Sequence, residues 1–282
     1  MSMNEQCRSA EGISRRGFLQ GVAALGAMPL FGASGGRLPP IRIAHCCDPQ
    51  LGFGSDGKGK EAYKNDLIRA EKEIEKINEL QPDLCFFGGD MVNRWNELSH
   101  DWPRLLKQLR VPWIVAAGNH DIPDDKSKTQ CDLFTSVFGY VYTAQTMKGW
   151  RLIAANGQFE RALGSHPDYH AWRDRELDEA KKAGLPVIWL THQPPFDRKP
   201  DEADSYQNYP LKTRHAFLDR CLDSGVRFFL AGHTHRMANR TYWQTPVLNS
   251  ETTSRNFDKR PHGFRMLDIP AEGPYKWEFV SV

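Results

Sequence analysis

The chain has 282 residues, of which 40% are hydrophobic, 26% charged and 11% aromatic, a globular composition that excludes a disordered, collagenous or coiled-coil protein. Its 37 Lys and Arg nearly balance 35 Asp and Glu, leaving a formal charge of +2, so no broad basic stripe announces a nucleic-acid partner. The length suits one large domain or two small ones.

At the N-terminus, Ser14-Arg15-Arg16-Gly17-Phe18-Leu19-Gln20 precedes Gly21 to Ala33, a stretch rich in Gly, Ala and Leu. A charged segment before a short apolar one reads as a targeting signal. The arginine pair fits the twin-arginine pattern, with Gln20 where Lys is common. Gln20, Gly21, Gly26 and Pro29 interrupt the apolar stretch, which is unsuited to a bilayer span of roughly 20 apolar residues. We therefore read residues 1–36 as a signal peptide and linker. The expectation is a chain exported by the twin-arginine machinery to the periplasm or beyond, with no stable membrane span once mature. An uncleaved amphipathic helix and a retained anchor are the competing readings. Of six cysteines, five follow Cys7 at irregular spacing. That is no disulfide framework, and Cys46, Cys47 and Cys85 read as small buried hydrophobes.

Residues 37–282 read as one domain without repeats. In chain order, Ile41 to Cys47 is an apolar strand. Tyr63, Leu67, Ala70, Ile74 and Ile77 recur at helical steps in a segment ending at Leu80. Strands follow at Asp83 to Phe87 and Pro112 to Ala116, with a helix between them at Asp101 to Leu109, where Pro103 falls in the first turn. Trp150 to Ala155 and Val187 to Leu190 are strands, separated by a helix from Arg173 to Ala183 that Gly184 ends. A helix from Leu211 to Ser224, closed by Gly225, leads to a strand at Val226 to Leu230. Thr241 to Leu248, Gly263 to Ile269 and Tyr275 to Val280 are strand-like and read as antiparallel. Alternating strands and helices predict an α/β fold of largely parallel sheet, and two packed mixed sheets flanked by helices accommodate all the strands.

Five strand ends deliver polar residues. They lead into Asp48-Pro49-Gln50, Gly88-Gly89-Asp90, Gly118-Asn119-His120-Asp121, Thr191-His192-Gln193 and Gly232-His233-Thr234-His235. Open α/β sheets bind ligands at the carboxyl ends of their strands. Imidazole, carboxylate and amide donors without thiolate suit Zn, Mn or Fe. His233 and His235, two apart, point oppositely on an extended segment and so can serve two ions. Each motif is weak alone; the ordered series is not.

This series resembles the metallophosphoesterase signature and covers nearly all of residues 41–269. It is most similar to the branch of calcineurin-like phosphoesterase-domain proteins whose first motif reads Asp-Pro-Gln, as Asp48-Pro49-Gln50 does here. Asn156-Gly157-Gln158-Phe159, His192-Gln193-Pro194-Pro195 and Pro261-His262-Gly263 fit the same branch, whose vertebrate members are protein serine/threonine phosphatases. The resemblance implies an αββα sandwich and two metal ions. Asp90 would bridge them, with Asp48, Gln50 and His235 at the first and Asn119, His192 and His233 at the second. His120 would sit beside the phosphate, oriented by Asp121. Gln50 departs from the broad family, where His is usual.

Such a centre implies a bridging hydroxide that attacks phosphorus in line, with His120 protonating the leaving oxygen. Beyond the resemblance, Asn93 and His262 read as substrate contacts, and Arg214 either grips a phosphate or caps its helix. The sequence points to a phosphomonoesterase, including a phosphoprotein phosphatase. It leaves open a phosphodiesterase acting on cyclic nucleotides or glycerophosphodiesters, and a non-catalytic metal- or phosphate-binding module.

Overall fold

The computed structural model describes residues 38–54, 56–162 and 164–282. The twin-arginine segment assigned to residues 1–36 lies outside the described residues.

Eleven strands in the described residues build two mixed sheets. The first contains Ile41–Cys46 (β1), Leu84–Phe87 (β2), Trp113–Val115 (β3), Gly263–Ile269 (β10) and Lys276–Ser281 (β11), in the order β11-β10-β1-β2-β3. The second contains Thr143–Met147 (β4), Trp150–Ala154 (β5), Val187–Leu190 (β6), Val226–Ala231 (β7), Ala238–Tyr242 (β8) and Thr245–Asn249 (β9), in the order β4-β5-β6-β7-β9-β8. β1, β2 and β3 run parallel, as do β5, β6, β7 and β9. The peripheral strands pair antiparallel.

Strand alternation divides the core into layers, because successive side chains face opposite sides of a sheet. Ile41, Ile43, Leu84, Phe86 and Ile114 of one sheet cluster with Leu152, Ile188, Leu190, Phe228 and Leu230 of the other. Their immediate neighbours Ala44, Cys46, Cys85, Phe87, Ile153, Trp189 and Phe229 belong to the outer clusters. Helices cover those outer faces. Lys60–Leu80 (α1) contributes Ala70, Ile74 and Ile77, and Leu98–Leu106 (α2) contributes Trp102 and Leu105. Lys128–Phe138 (α3) adds Phe134 and Phe138. After the short Gly157–Arg161 helix (α4), Pro167–Ala183 (α5) adds Leu177 and Ala180, and Leu211–Asp223 (α6) adds Phe217, Leu218 and Cys221. The expected αββα sandwich is the observed one.

Several local expectations change: α5 begins at Pro167 rather than Arg173, β4 and α4 are additional elements, and three more changes bear on α2, the 241–248 run and α3. α2 starts three residues earlier than predicted, after a 3-10 turn at Trp95–Glu97, so Pro103 lies inside the helix rather than in its first turn. The run from Thr241 to Leu248 is a hairpin, turned at Trp243 with φ 52°, and its second strand is parallel to β7. α3 is an additional element: Ser127 accepts from the Gln130 amide at its start, Gly139 closes it in the left-handed region, and Cys131, Phe134 and Phe138 are buried. Four cysteines, Cys46, Cys47, Cys85 and Cys221, are buried free thiols.

Candidate metal centre

The parallel strands of both sheets end on the same edge. β1 ends two residues before Asp48, β2 three before Asp90, and β6 and β7 two before His192 and His233. The ends are tied together within each sheet, with the Gln50 amide donating to the Asp90 carbonyl (2.8 Å) and the Gly232 amide to the His192 carbonyl (2.9 Å), and across the sandwich by the His233 amide donating to the Asp48 carboxylate (2.8 Å).

The backbone is unusual where the polar residues sit. Asp48, Gln50, Asp90, His233 and His235 all have positive φ, between 34° and 71°. Non-glycine residues rarely occupy this region, and held together they mark a functional site. Close approach accounts for two glycines. A β-carbon on Gly118 would collide with the Asp90 carboxylate and amide. One on Gly89, at φ 86°, would lie 2.8 Å from His192 Nδ1.

The side chains form two groups that share Asp90. Ligand atoms of Asp90, His192 and His233 lie within 4.8 Å of one another, and so do those of Asp48, Asp90 and His235. All five residues are buried. The three histidines each commit one ring nitrogen to a main-chain carbonyl: His192 Nδ1 to Gly88 (2.6 Å), His233 Nε2 to Tyr206 (3.0 Å) and His235 Nδ1 to Arg255 (2.7 Å). A carbonyl only accepts, so that nitrogen carries a proton, and in the neutral ring the other presents its lone pair inward, as second-sphere partners of metal-bound histidines do. The inward nitrogens converge with oxygen acceptors. His192 Nε2 lies 3.0 Å from Asn119 Oδ1, 3.1 Å from His233 Nδ1 and 3.3 Å from an Asp90 oxygen. His235 Nε2 lies 3.5 Å from Asp48 Oδ1. Gln50 is buried and its side-chain oxygen has no protein partner. Buried lone pairs without donors are costly, and a cation satisfies all of them at once. The donor set of imidazole, carboxylate and amide oxygen fits two borderline or hard ions.

Electrostatics point the same way. Burial pushes His233 down to about 3 and His235 down to about 4, so both are neutral at physiological pH and can offer a lone pair to a cation. Burial also disfavours the charged form of His192, but the Asp90 and Asp48 carboxylates outweigh it and lift His192 to about 9. Asp90 is held below the usual carboxylate range, because His192 and His120 overcome its burial. Burial, with Asp90 close by, raises Asp48 well above that range.

His120 stands beside these groups, half-buried. Its amide donates to Asp90 (2.7 Å) and its ring Nδ1 meets the Asn93 carbonyl (2.9 Å), leaving Nε2 uncommitted. This corrects the expectation that Asp121 orients His120. Asp121 instead accepts from the Met91 and Gly118 amides (2.8 and 3.0 Å), tying the Asp90 loop to the Asn119 loop. Asn93 contributes through its carbonyl, while its side-chain amide reaches the Gly52 carbonyl at 3.4 Å.

Arg214 is also corrected. It is fully buried, and its guanidinium donates to the carbonyls of Tyr209, Pro200 and Glu202. It clamps the loop that carries Tyr206 and has no exposed face for a phosphate. His262 sits half-buried; burial and then the Arg69 charge push it below the usual histidine range, against the pull of Asp56 and Asp66. It is brought to the back of the loop that supports Asp48, where the Ser254 hydroxyl donates to the Asp48 carbonyl (2.7 Å).

Several contributors carry no sequence signal of their own. Tyr206 touches both sides of one group: its hydroxyl accepts from Asn119 (2.6 Å) and its carbonyl holds His233. Gln193 Nε2 bonds Gln158 (2.7 Å) and approaches Asn119 Oδ1 at 3.4 Å. Gln158 and Gln193 stand in segments already singled out by the resemblance; the Arg255 and Asn93 carbonyls could belong to any residue type.

Residues 41–237 match the calcineurin-like phosphoesterase family, and the chain belongs to it. It is a hydrolase of phosphoric esters. Among curated relatives, it is 28% identical over 256 residues to rat (Rattus norvegicus) serine/threonine-protein phosphatase CPPED1, covering 83% of this chain and 81% of that one. It is 27% identical over 217 residues to a probable cyclic nucleotide phosphodiesterase of a Synechococcus strain, covering 74% and 80%. Among solved structures, a dimetal phosphatase from Danio rerio superposes with a TM-score of 0.53 at 14% identity, over 86% of this chain and 99% of that one. A purple acid phosphatase from yellow lupin gives 0.57 at 14% identity, over 86% and 51%. These two likenesses bear on the fold.

Proposed function

We propose that this phosphoesterase is an exported phosphomonoesterase in which Asp48, Gln50 and His235 hold one ion, Asn119, His192 and His233 hold a second, and Asp90 is shared. The observation that carries the reading is the shared carboxylate: two groups of inward lone pairs, built from both sheets, meet at Asp90. Two bound ions would supply positive charge to phosphate oxygens and acidify water between them. The chain's own residues do the rest. The Asn93 carbonyl fixes the His120 ring through Nδ1, which leaves Nε2 to donate a proton to the departing ester oxygen. Asp121 keeps the two loops that carry Asp90 and Asn119 in register.

The monoester preference draws support from the phosphatase relatives and from the walls of the site. Tyr206 lies over His233 with ring centroids 4.7 Å apart, and Phe53 packs on His235 at 5.3 Å and on His120 at 6.3 Å. Aromatic walls beside the histidines narrow the room for a second ester substituent. The name of the rat relative brings phosphoserine and phosphothreonine proteins in as substrates to assay. Export rests on Arg15-Arg16 and the apolar stretch that follows; among the described residues, no helix is long and apolar enough to cross a membrane. Fractionation of producing cells, with Arg15 and Arg16 changed to Lys as control, tests that part; signal-dependent delivery outside the cytoplasm is expected.

The chemical test is elemental analysis and an ester panel on one preparation. Two ions per chain, chelator-sensitive turnover and faster hydrolysis of nitrophenyl phosphate than of bis-nitrophenyl phosphate are expected. Faster diester turnover would replace the monoester reading with the diesterase one. Two bound ions without any turnover would make the chain a binding module.

A further inference from the structure

Phe257 is exposed (43%), one of six exposed large apolar side chains among the described residues. It is not loose. Its amide donates to the His235 carbonyl (2.8 Å), and its ring stacks on the His235 ring with centroids 4.8 Å apart and planes 22° from parallel. Phe53 closes the same wall from the side, 6.2 Å from Phe257. Two guanidinium groups lie against this ring, Arg255 at 5.6 Å and Arg236 at 5.9 Å from its centroid. Both arginines are exposed, and among the described residues neither guanidinium has a carboxylate partner. The one nearby acid of that loop, Asp258, spends its oxygens on the amides of Met237 and Arg260.

This arrangement is unlike the other cationic side chains around the site. Arg161 gives its donors to the carbonyls of Ser205, Tyr206 and Asn208, and Arg214 is wholly internal. Among the described residues, Arg236 and Arg255 combine free donors, a fixed position and proximity to His235, from which one aromatic ring separates them. Stacking on an aromatic face holds the guanidinium plane while leaving its N–H edge available. That edge matches an oxyanion bidentately.

We infer that Phe257, Arg236 and Arg255 form a specificity subsite for a second anionic group on the leaving group, which makes the preferred substrate a compact phosphomonoester bearing another phosphate or carboxylate a few atoms from the scissile ester. The inference rests on the phosphomonoesterase reading and names its substrate class. A compact leaving group follows from the single ring between the cations and His235. The subsite acts by positioning and charge; it transfers no proton.

The test compares hexyl phosphate with hexanediol bisphosphate, the second corrected for its two reactive ends, on metal-loaded full chain. In wild type the kcat/KM ratio should favour the bisphosphate roughly tenfold at low salt. The ratio should shrink with added salt, as exposed charge pairs are screened. Arg236→Gln combined with Arg255→Gln should bring it near unity, and Arg→Lys at both positions should restore part of it, since the charge returns without the fork. A wild-type ratio near one, with both esters hydrolysed, would overturn the subsite and leave the phosphomonoesterase standing. Hydrolysis of neither ester nor of nitrophenyl phosphate would remove both. A gain confined to a phosphoserine peptide flanked by Glu would overturn the compact-substrate inference in favour of a protein ligand.

Discussion

The two ligand groups differ in what holds them together. Around His192, protein partners already engage most polar atoms: Asn119, His233 and Asp90 all approach Nε2 within 3.3 Å. Burial opposes a proton on that nitrogen, but the Asp90 and Asp48 carboxylates outweigh it and lift His192 to about 9. Around Gln50 the engagement is thinner. The Gln50 side-chain oxygen has no protein partner, and His235 stands 3.5 Å from Asp48. A neutral imidazole at about 4 and a neutral amide offer lone pairs but no proton. One group can substitute a proton for a cation; the other depends on the cation itself. The sequence marked Gln50 as a departure from the family's usual His, and its burial makes its side-chain oxygen expensive to leave unpaired.

Asp90 belongs to both groups, so its loss breaks the comparison altogether. Asp90→Asn should lower kcat/KM by at least ~10⁴-fold, since the charge that neutralises both ions goes with it. Elemental analysis should find less than one ion per chain; two retained ions would detach Asp90 from the centre. His120→Ala tests a residue outside both groups. Turnover of alkyl phosphates should fall about 10²–10⁴-fold, with metal content unchanged and a smaller loss on nitrophenyl phosphate, whose leaving group needs no proton. Equal losses on the two ester types would remove His120 Nε2 as the acid.

The proton-for-cation difference also has a pH signature. In chelator-stripped protein, the folded-state His192 is raised from 6.5 to about 9. A raised pKa stabilises the fold fully below the unfolded value and loses that contribution as pH rises through the folded value. Stripped protein should therefore lose melting temperature between about pH 6.5 and pH 9. Metal-loaded protein should stay flat over that window, because an ion replaces the proton. Parallel curves for the two forms would show that His192 is not where the ion binds.

Much of this centre could be read from the chain because strands announce themselves by apolar runs, and the chemistry sits where the runs end. Asp48, Asp90, His192 and His233 were legible for that reason. What remained hidden depends on backbone shape. No sequence pattern reveals that Asp48, Gln50, Asp90, His233 and His235 share the left-handed region, since side chains there are the exception. The carbonyls that orient His120 and His235 are invisible because every residue has one. Arg214 shows the converse error: an arginine near a site suggests substrate, while burial and carbonyl partners make it a clamp. α3 was missed although Ser127 and Gly139 mark its ends, because its buried face is only Cys131, Phe134 and Phe138.

Gln50 supplies the smallest and most discriminating test. Gln50→Ala keeps a β-carbon, so the backbone strain at φ 34° is the same in both proteins. In stripped protein the substitution deletes a buried acceptor that lacks a partner, worth about 1–3 kcal/mol of relief, against a small cavity of comparable cost. The net change in stability should be close to zero. In metal-loaded protein the same substitution removes a ligand, and stability should fall by about 1–3 kcal/mol as that ion binds more weakly. Denaturant titrations of both forms read the difference directly. If Gln50→Ala destabilises the stripped and loaded proteins equally, Gln50 is a packing residue. The first group would then hold its ion through Asp48, Asp90 and His235 alone.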